Sequence, residues 1–171
     1  MLPVVRRTWA PVGQTPILYH VGRHREKVSA LSAISVSPLR RRLGLYIRFF
    51  AKRNVKSRQI VAFLRQLLRH LGGHVIVLWD RGKQHRSRET QHFLHRNRRR
   101  ISTELFPSYA PDLNPDEHVW ALLKHHRLAN HGLPTVQALH RKLLYHAART
   151  RRRQNLLWSC IHASELPFRR P

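Results

Sequence analysis

Apolar positions recur most regularly between residues 57 and 71. Ile60, Val61, Leu64, Leu67, Leu68 and Leu71 fall at i, i+1, i+4, i+7, i+8 and i+11, the broad apolar face of an amphipathic helix. Ser57 can cap its start, and Gly72-Gly73 ends it. Val75-Ile76-Val77-Leu78-Trp79 follows, a short unbroken run rich in β-branched residues. Such a run predicts a strand buried on both faces, as inside a parallel sheet. Partial alternation predicts two earlier strands, over residues 27–37 and 43–51. Pro38 to Arg42 then forms the hairpin turn between them. Ile17-Leu18-Tyr19 is the only strand-like piece of the first 26 residues, which Pro3, Pro11, Gly13 and Pro16 punctuate.

After the Val75 strand the pattern predicts a short helix over 87–97, opened by Ser87 with Phe93 and Leu94 inward. A strand with Ile101, Thr103 and Leu105 alternating comes next. Asn114, Pro115 and Glu117 mark the start of another helix: an N-cap, a proline suited to the first turn, and an acid three residues after the cap. Val119, Leu122 and Leu123 are its buried face; Glu117, Trp120 and Lys124 share the other. Beyond Gly132 and Pro134, the residues Val136, Leu139, Leu143, Leu144 and Ala147 define a long amphipathic helix. Leu156, Leu157, Cys160 and Ile161 define a short terminal one. The order of strands and helices predicts an α/β layer fold, with helices on a mixed sheet.

Two acids stand where chemistry is expected. Asp80 sits at the carboxyl end of a buried strand, where ligands of open α/β sheets gather. Glu117 opens a helix. Each also has a plain structural explanation: Glu117 can close a capping box with Asn114, and Asp80-Arg81-Gly82 is good turn chemistry.

Together, however, the residues form a recognisable pattern. Trp79-Asp80-x-Gly-x-x-His85, followed by Tyr109-Ala-Pro-Asp-Leu-Asn-Pro-x-Glu117-x-x-Trp120-x-x-Leu-Lys124, resembles the catalytic core of bacterial insertion-sequence transposases of the mariner-like superfamily. Arg7-Thr8-Trp9-Ala10-Pro11-x-Gly13-Gln14-Thr15-Pro16 is similar to an earlier motif of the same proteins. The resemblance covers nearly the whole chain as one catalytic-core domain, residues 1–171. It implies a ribonuclease H-like mixed sheet with flanking helices and an Asp-Asp-Glu triad, whose second and third acids match Asp80 and Glu117. The strand carrying the first acid would precede the Arg7 motif, so the resemblance implies a core whose first strand is missing, leaving a gap between residues 27–51 and 75–80 or one closed by another segment. It also implies metal-dependent cleavage and joining of DNA, with Asp80 and Glu117 as ligands of Mg²⁺ or Mn²⁺. Partners would be DNA, a second copy in a dimer, or a missing N-terminal transposase half with its helix-turn-helix. With one acid absent, the chain alone is expected to be inactive. His85, Lys124 and the turn arginines Arg40, Arg41 and Arg42 are candidate nucleic-acid contacts.

Charge sharpens this picture. Lys and Arg total 33 against 8 acids, a formal charge of +25. An excess of that size calls for a polyanionic partner, nucleic acid first. Charge alone would equally fit a non-enzymatic basic nucleic-acid-binding protein. The buried apolar segments and paired motifs argue against that alternative, since a simple polyanion binder needs neither. The fourteen histidines lack a complete zinc-ligand set. Cys160 is the only cysteine, which excludes an internal disulfide and fits a reducing, cytoplasmic setting.

Overall fold

A computed structural model describes residues 5–17, 19, 27–39, 42–166 and 168. Strands β1 (Val28–Val36) and β2 (Leu43–Ala51) form an antiparallel hairpin in register from Val28↔Ala51 to Val36↔Leu43. Helix α1 (Ser57–His70) leads to β3 (Val75–Trp79). Helix α2 (Arg88–Arg96) then crosses over to β4 (Ile101–Leu105). A crossover helix permits parallel pairing, and β3 and β4 are parallel, Val75↔Ile101 to Trp79↔Leu105. Helix α3 (Pro115–Ala121) runs into a π-helical turn, Leu122–Arg127, and α4 (Val136–Arg151) and α5 (Gln154–Ala163) close the chain.

The α/β layering is as the sequence predicts, but the sheet is in two pieces. β1–β2 and β3–β4 do not pair with each other. Each of the four strands therefore has one edge without a ladder partner among the described residues. Alternation sends the hairpin's side chains to two cores. Leu43, Leu45 and Ile47, with Ile34 and Val36 beside them, meet Val119, Leu123, Ala147, Leu157, Trp158 and Ile161 on one face. On the other, Leu31, Ala33 and Tyr46 lie against the α1 core of Ile60, Phe63, Leu64 and Leu67. That same core includes Ile101 and is flanked by Val77, Trp79, Phe93 and Leu94. One amphipathic helix thus packs on both sheets. Fully burying each such side chain contributes about 1.5–3 kcal/mol.

Several local expectations are corrected. β3 is buried on one face only: Ile76 is 60% and Leu78 45% exposed. The helices α3, α4 and α5 pack on the hairpin, leaving the side of β3 turned away from α1 uncovered. Lys56, not Ser57, is the N-cap residue of α1, and its N–H donates to Gln59 Oε1 at 3.0 Å. The other end of α1 is closed by an arginine. The Arg100 guanidinium donates to the carbonyls of Leu68, Leu71 and Gly73 at 3.2, 3.0 and 2.9 Å. Leu144 is 47% exposed, outside the apolar face of α4, and Trp158, not anticipated, is buried in α5. Ile17 and Tyr19 are exposed and non-strand, while Leu18 lies outside the described residues.

The outer edge of β2 is covered without another strand. Leu43 N–H donates to Gln154 Oε1 (2.8 Å), Gln154 Nε2 donates to the Leu43 carbonyl (2.9 Å), and Arg151 Nε donates to the Leu45 carbonyl (2.8 Å). The turn between α4 and α5 thereby satisfies edge groups that would otherwise be unpaired. No helix among the described residues is long and apolar enough to cross a membrane.

Because α1 serves both sheets, Leu64→Ala should cost about 2–5 kcal/mol in urea unfolding. Leu144→Ala, on the exposed side of α4, should stay within about 0.5 kcal/mol. Equal effects would show that the α1 core does not carry the fold.

Candidate catalytic site

The turn after β3 is built around Asp80. Its Oδ1 accepts the Gly82 N–H at 2.9 Å and lies 3.1 Å from His85 Nε2. The His85 ring stacks on Trp79, centroids 4.3 Å apart and planes 31° from parallel. A Cβ on Gly82 would stand 2.9 Å from Asp80 Oδ1 and 3.1 Å from His85 Cδ2, so this close approach needs glycine. The spacing Trp-Asp-x-Gly-x-x-His is thus one packed unit. The turn reading of Asp80 holds, and the turn bond uses only Oδ1. No hydrogen bond to Oδ2 occurs among the described residues, and the side chain is 71% exposed.

Burial pushes the His85 imidazole below its ordinary value, and the Asp80 charge opposes this only in part. Its Nε2 faces the Asp80 carboxylate, while the buried Nδ1 has no hydrogen-bond partner. His85 therefore aims Asp80. Residues that periodicity does not reveal secure the loop from α2: Thr90, fully buried, donates from Oγ1 to the Gln84 carbonyl (2.9 Å), and Gln91 Nε2 donates to the His85 carbonyl (2.9 Å). Ser87 caps α2 as predicted, accepting from Thr90 N–H at 3.3 Å.

Glu117 lies exposed in the first turn of α3. Asn114 caps this helix by accepting the Asp116 N–H at 3.1 Å. The capping-box explanation of Glu117 is not realised: the Asn114 N–H donates to the Pro111 carbonyl (2.9 Å). The Glu117 carboxylate is left free of hydrogen bonds and ion pairs among the described residues. Asp80 and Glu117 are not joined by a direct bond, and among the described residues no three His, Cys, Asp or Glu side chains form a metal-holding group.

The neighbouring Asp116 plays a different part. It turns inward and accepts from the Ser32 hydroxyl of β1, with Oδ1 buried and unpartnered. Burial raises its carboxyl to about 6, opposed by the Ser32 hydroxyl and the Trp120 indole and reinforced by Glu117. Trp120 packs on the hairpin core, edge-on to Phe49. Lys124 is exposed in the π-helical turn, where one residue more per turn rotates it from the ideal α-helical alignment with Glu117. Arg42 is exposed; Arg40 and Arg41 lie outside the described residues. Of the early motif, Arg7 and Trp9 are exposed, and it is the adjacent Arg6 that is anchored. Its N–H donates to Asn130 Oδ1 (2.8 Å), its carbonyl accepts from Asn130 Nδ2 (2.9 Å), and its Nη1 reaches the His125 carbonyl (3.2 Å).

Asp116 should make the fold pH-sensitive. The folded state holds its proton up to about pH 6, whereas the unfolded chain releases it near 3.8. Stability is therefore lost as pH rises from about 4 to 6, by about 3 kcal/mol from this group. Asp116→Asn, unfolded by urea in chelator, should be the more stable protein at pH 7 and lose that advantage at pH 4. A constant difference would place the acid's effect elsewhere.

Comparison with known proteins places the fold. The fold is similar to the Mos1 strand transfer complex, with a TM-score of 0.61 and 21% identity over 94% of this chain and 46% of that one. It is also similar to the mariner Mos1 paired end complex with Mg, with 0.61 and 20% over 94% and 47%. For the catalytic domain of Mos1 mariner transposase the values are 0.54 and 21%, over 79% and 74%. The chain spans about half the length of the first two, and these likenesses show a ribonuclease H-like fold. No curated protein matches the chain. The family model for the DDE superfamily endonuclease matches residues 2–140. Asp80, Glu117 and the hairpin all fall within that span, and the chain belongs to the DDE superfamily endonucleases, with a mariner-like catalytic fold.

Proposed function

We propose that residues 1–171 form a single catalytic-core domain of a DNA transposase, acting by divalent-metal-dependent phosphodiester cleavage and strand transfer. The observation that carries this reading is Asp80, fixed through Oδ1 by Gly82 and His85 with Oδ2 turned outward, in the same family domain as an unpaired Glu117. Hard carboxylate oxygens suit Mg²⁺ or Mn²⁺, which one or two carboxylates commonly hold together with substrate phosphate and water. Asp80 and Glu117 would be the ligands. Such an ion, when bound, stabilises charge on the attacking and leaving oxygens of an in-line displacement. His85 keeps Asp80 in one rotamer, and Lys124 and Arg42 offer exposed cations to the DNA backbone. The partners are DNA and a second copy of the chain, as supported by paired-end and strand-transfer complexes of Mos1. The setting is the cytoplasm, where the lone Cys160 stays reduced; burial pushes its thiol up to about 11, so it is inert at neutral pH.

Mn²⁺ titration followed by calorimetry tests the assignment. Asp80→Ala and Glu117→Ala should each abolish binding, and His85→Ala should weaken it about 10–100-fold without unfolding the chain. Binding that survives both acid substitutions would overturn the site. Nicking of supercoiled plasmid in Mg²⁺ is a second readout: any nicking by the chain should be abolished by Glu117→Ala, and nicking that survives the substitution would overturn the role of Glu117.

A further inference from the structure

The run from Arg149 to Arg153 looks uniform in sequence but not in the folded chain. Arg149 is engaged with Tyr145, its Nη1 2.7 Å from the hydroxyl and its guanidinium 5.5 Å from the ring centroid. Arg151 is tied to the Leu45 carbonyl. Arg152 and Arg153 are exposed and have no hydrogen bond or ion pair from their side chains among the described residues. They line an open cleft of about 590 Å³ with Gln154, Asn155, Leu156 and Ser159, a lining without any carboxylate.

The cleft is held in a fixed place. Gln154 bonds both backbone groups of Leu43, and Arg151 bonds Leu45, so the turn is pinned to the outer edge of β2. Arg42 immediately precedes Leu43, is exposed, and likewise has no protein partner among the described residues. Three unpaired arginines from opposite ends of the sequence are therefore brought to one strand edge. Their supporting bonds are made by other residues, so their guanidinium groups remain available. Arginine forks match phosphate oxygens, and an arginine held on an ordered turn loses less freedom on binding than one on a mobile tail.

We propose that Arg42, Arg152 and Arg153 form a contact surface for the phosphate backbone of duplex DNA, along the outer edge of β2. This rests on the DNA reading above and adds to it a surface along the edge of β2 that the turn between α4 and α5 covers. The contacts are to phosphate, so they set affinity and carry no base preference.

The test is binding of the whole chain to fluorescent duplexes of about 30 base pairs, of two unrelated sequences, between about 50 and 200 mM salt. In the triple variant Arg42→Gln, Arg152→Gln, Arg153→Gln, the slope of log affinity against log salt should fall by about 2–3. At the lower salt, affinity should fall about 10–100-fold, equally for both duplexes. A control triple, Arg88→Gln, Arg96→Gln, Arg99→Gln, removes the same charge near α2 and should change the slope by less than about one. Thermal melting should be unchanged in both, since none of the six side chains supports the fold. Equal slope changes in the two triples would mean that only net charge matters, overturning the surface. A wild type that binds duplex with no change in the first triple would also overturn it, leaving the DNA reading intact. A wild type that does not bind duplex at all would remove both.

Discussion

The fold depends on the apolar face of α1. Two small sheets that share no ladder are both packed against Ile60, Phe63, Leu64 and Leu67. The candidate site inherits this dependence. Asp80 is positioned by β3, whose inward residues Val77 and Trp79 rest on the α1 core; Glu117 is positioned by α3, which packs on the opposite face of the hairpin. The two acids thus belong to units related through a layer of side chains rather than through continuous backbone hydrogen bonds. A sheet ladder resists sliding because each register is a distinct set of bonds, whereas apolar packing is non-directional.

Much of this was legible from residues alone, because periodicity reports one local property, the side of an element that is apolar. β2, β3 and α2 have the expected limits, and Ser87 and Asn114 cap their helices as predicted. What periodicity does not carry is what stands opposite each face. Val75-Ile76-Val77-Leu78-Trp79 is apolar throughout, yet Ile76 and Leu78 are uncovered because the cover they suit is not supplied by α3, α4 or α5. Leu144 was misplaced for a related reason: its spacing fits the stripe of α4, but the core there is already filled by Leu139, Leu143 and Ala147.

The site was legible to a different depth. The acids and His85 could be named from their spacing, but the physical reason for that spacing needed coordinates. A methyl group at Gly82 would press on the Asp80 and His85 side chains. Thr90 and Gln91 support the same loop from a helix whose sequence gives no sign of it. Asp116 stands in a first helical turn, where an acid suits the helix dipole from the surface, yet its side chain is turned inward to Ser32. An N-terminal turn offers the same backbone to a solvent-facing and an inward acid, so position in the helix could not separate them.

The arginines that do structural work donate mainly to carbonyl oxygens: Arg100 at the end of α1, Arg151 at β2, Arg6 at His125. The chain sets only 8 acids against 33 lysines and arginines. A chain of +25 held together this way has little attraction between opposite charges to lose when ions are added, and much like-charge repulsion to gain relief from. Ionic strength should therefore push its two equilibria in opposite directions, tightening the folded chain while loosening its grip on a polyanion. The protein should be sturdiest in the solutions in which it would hold a polyanion least.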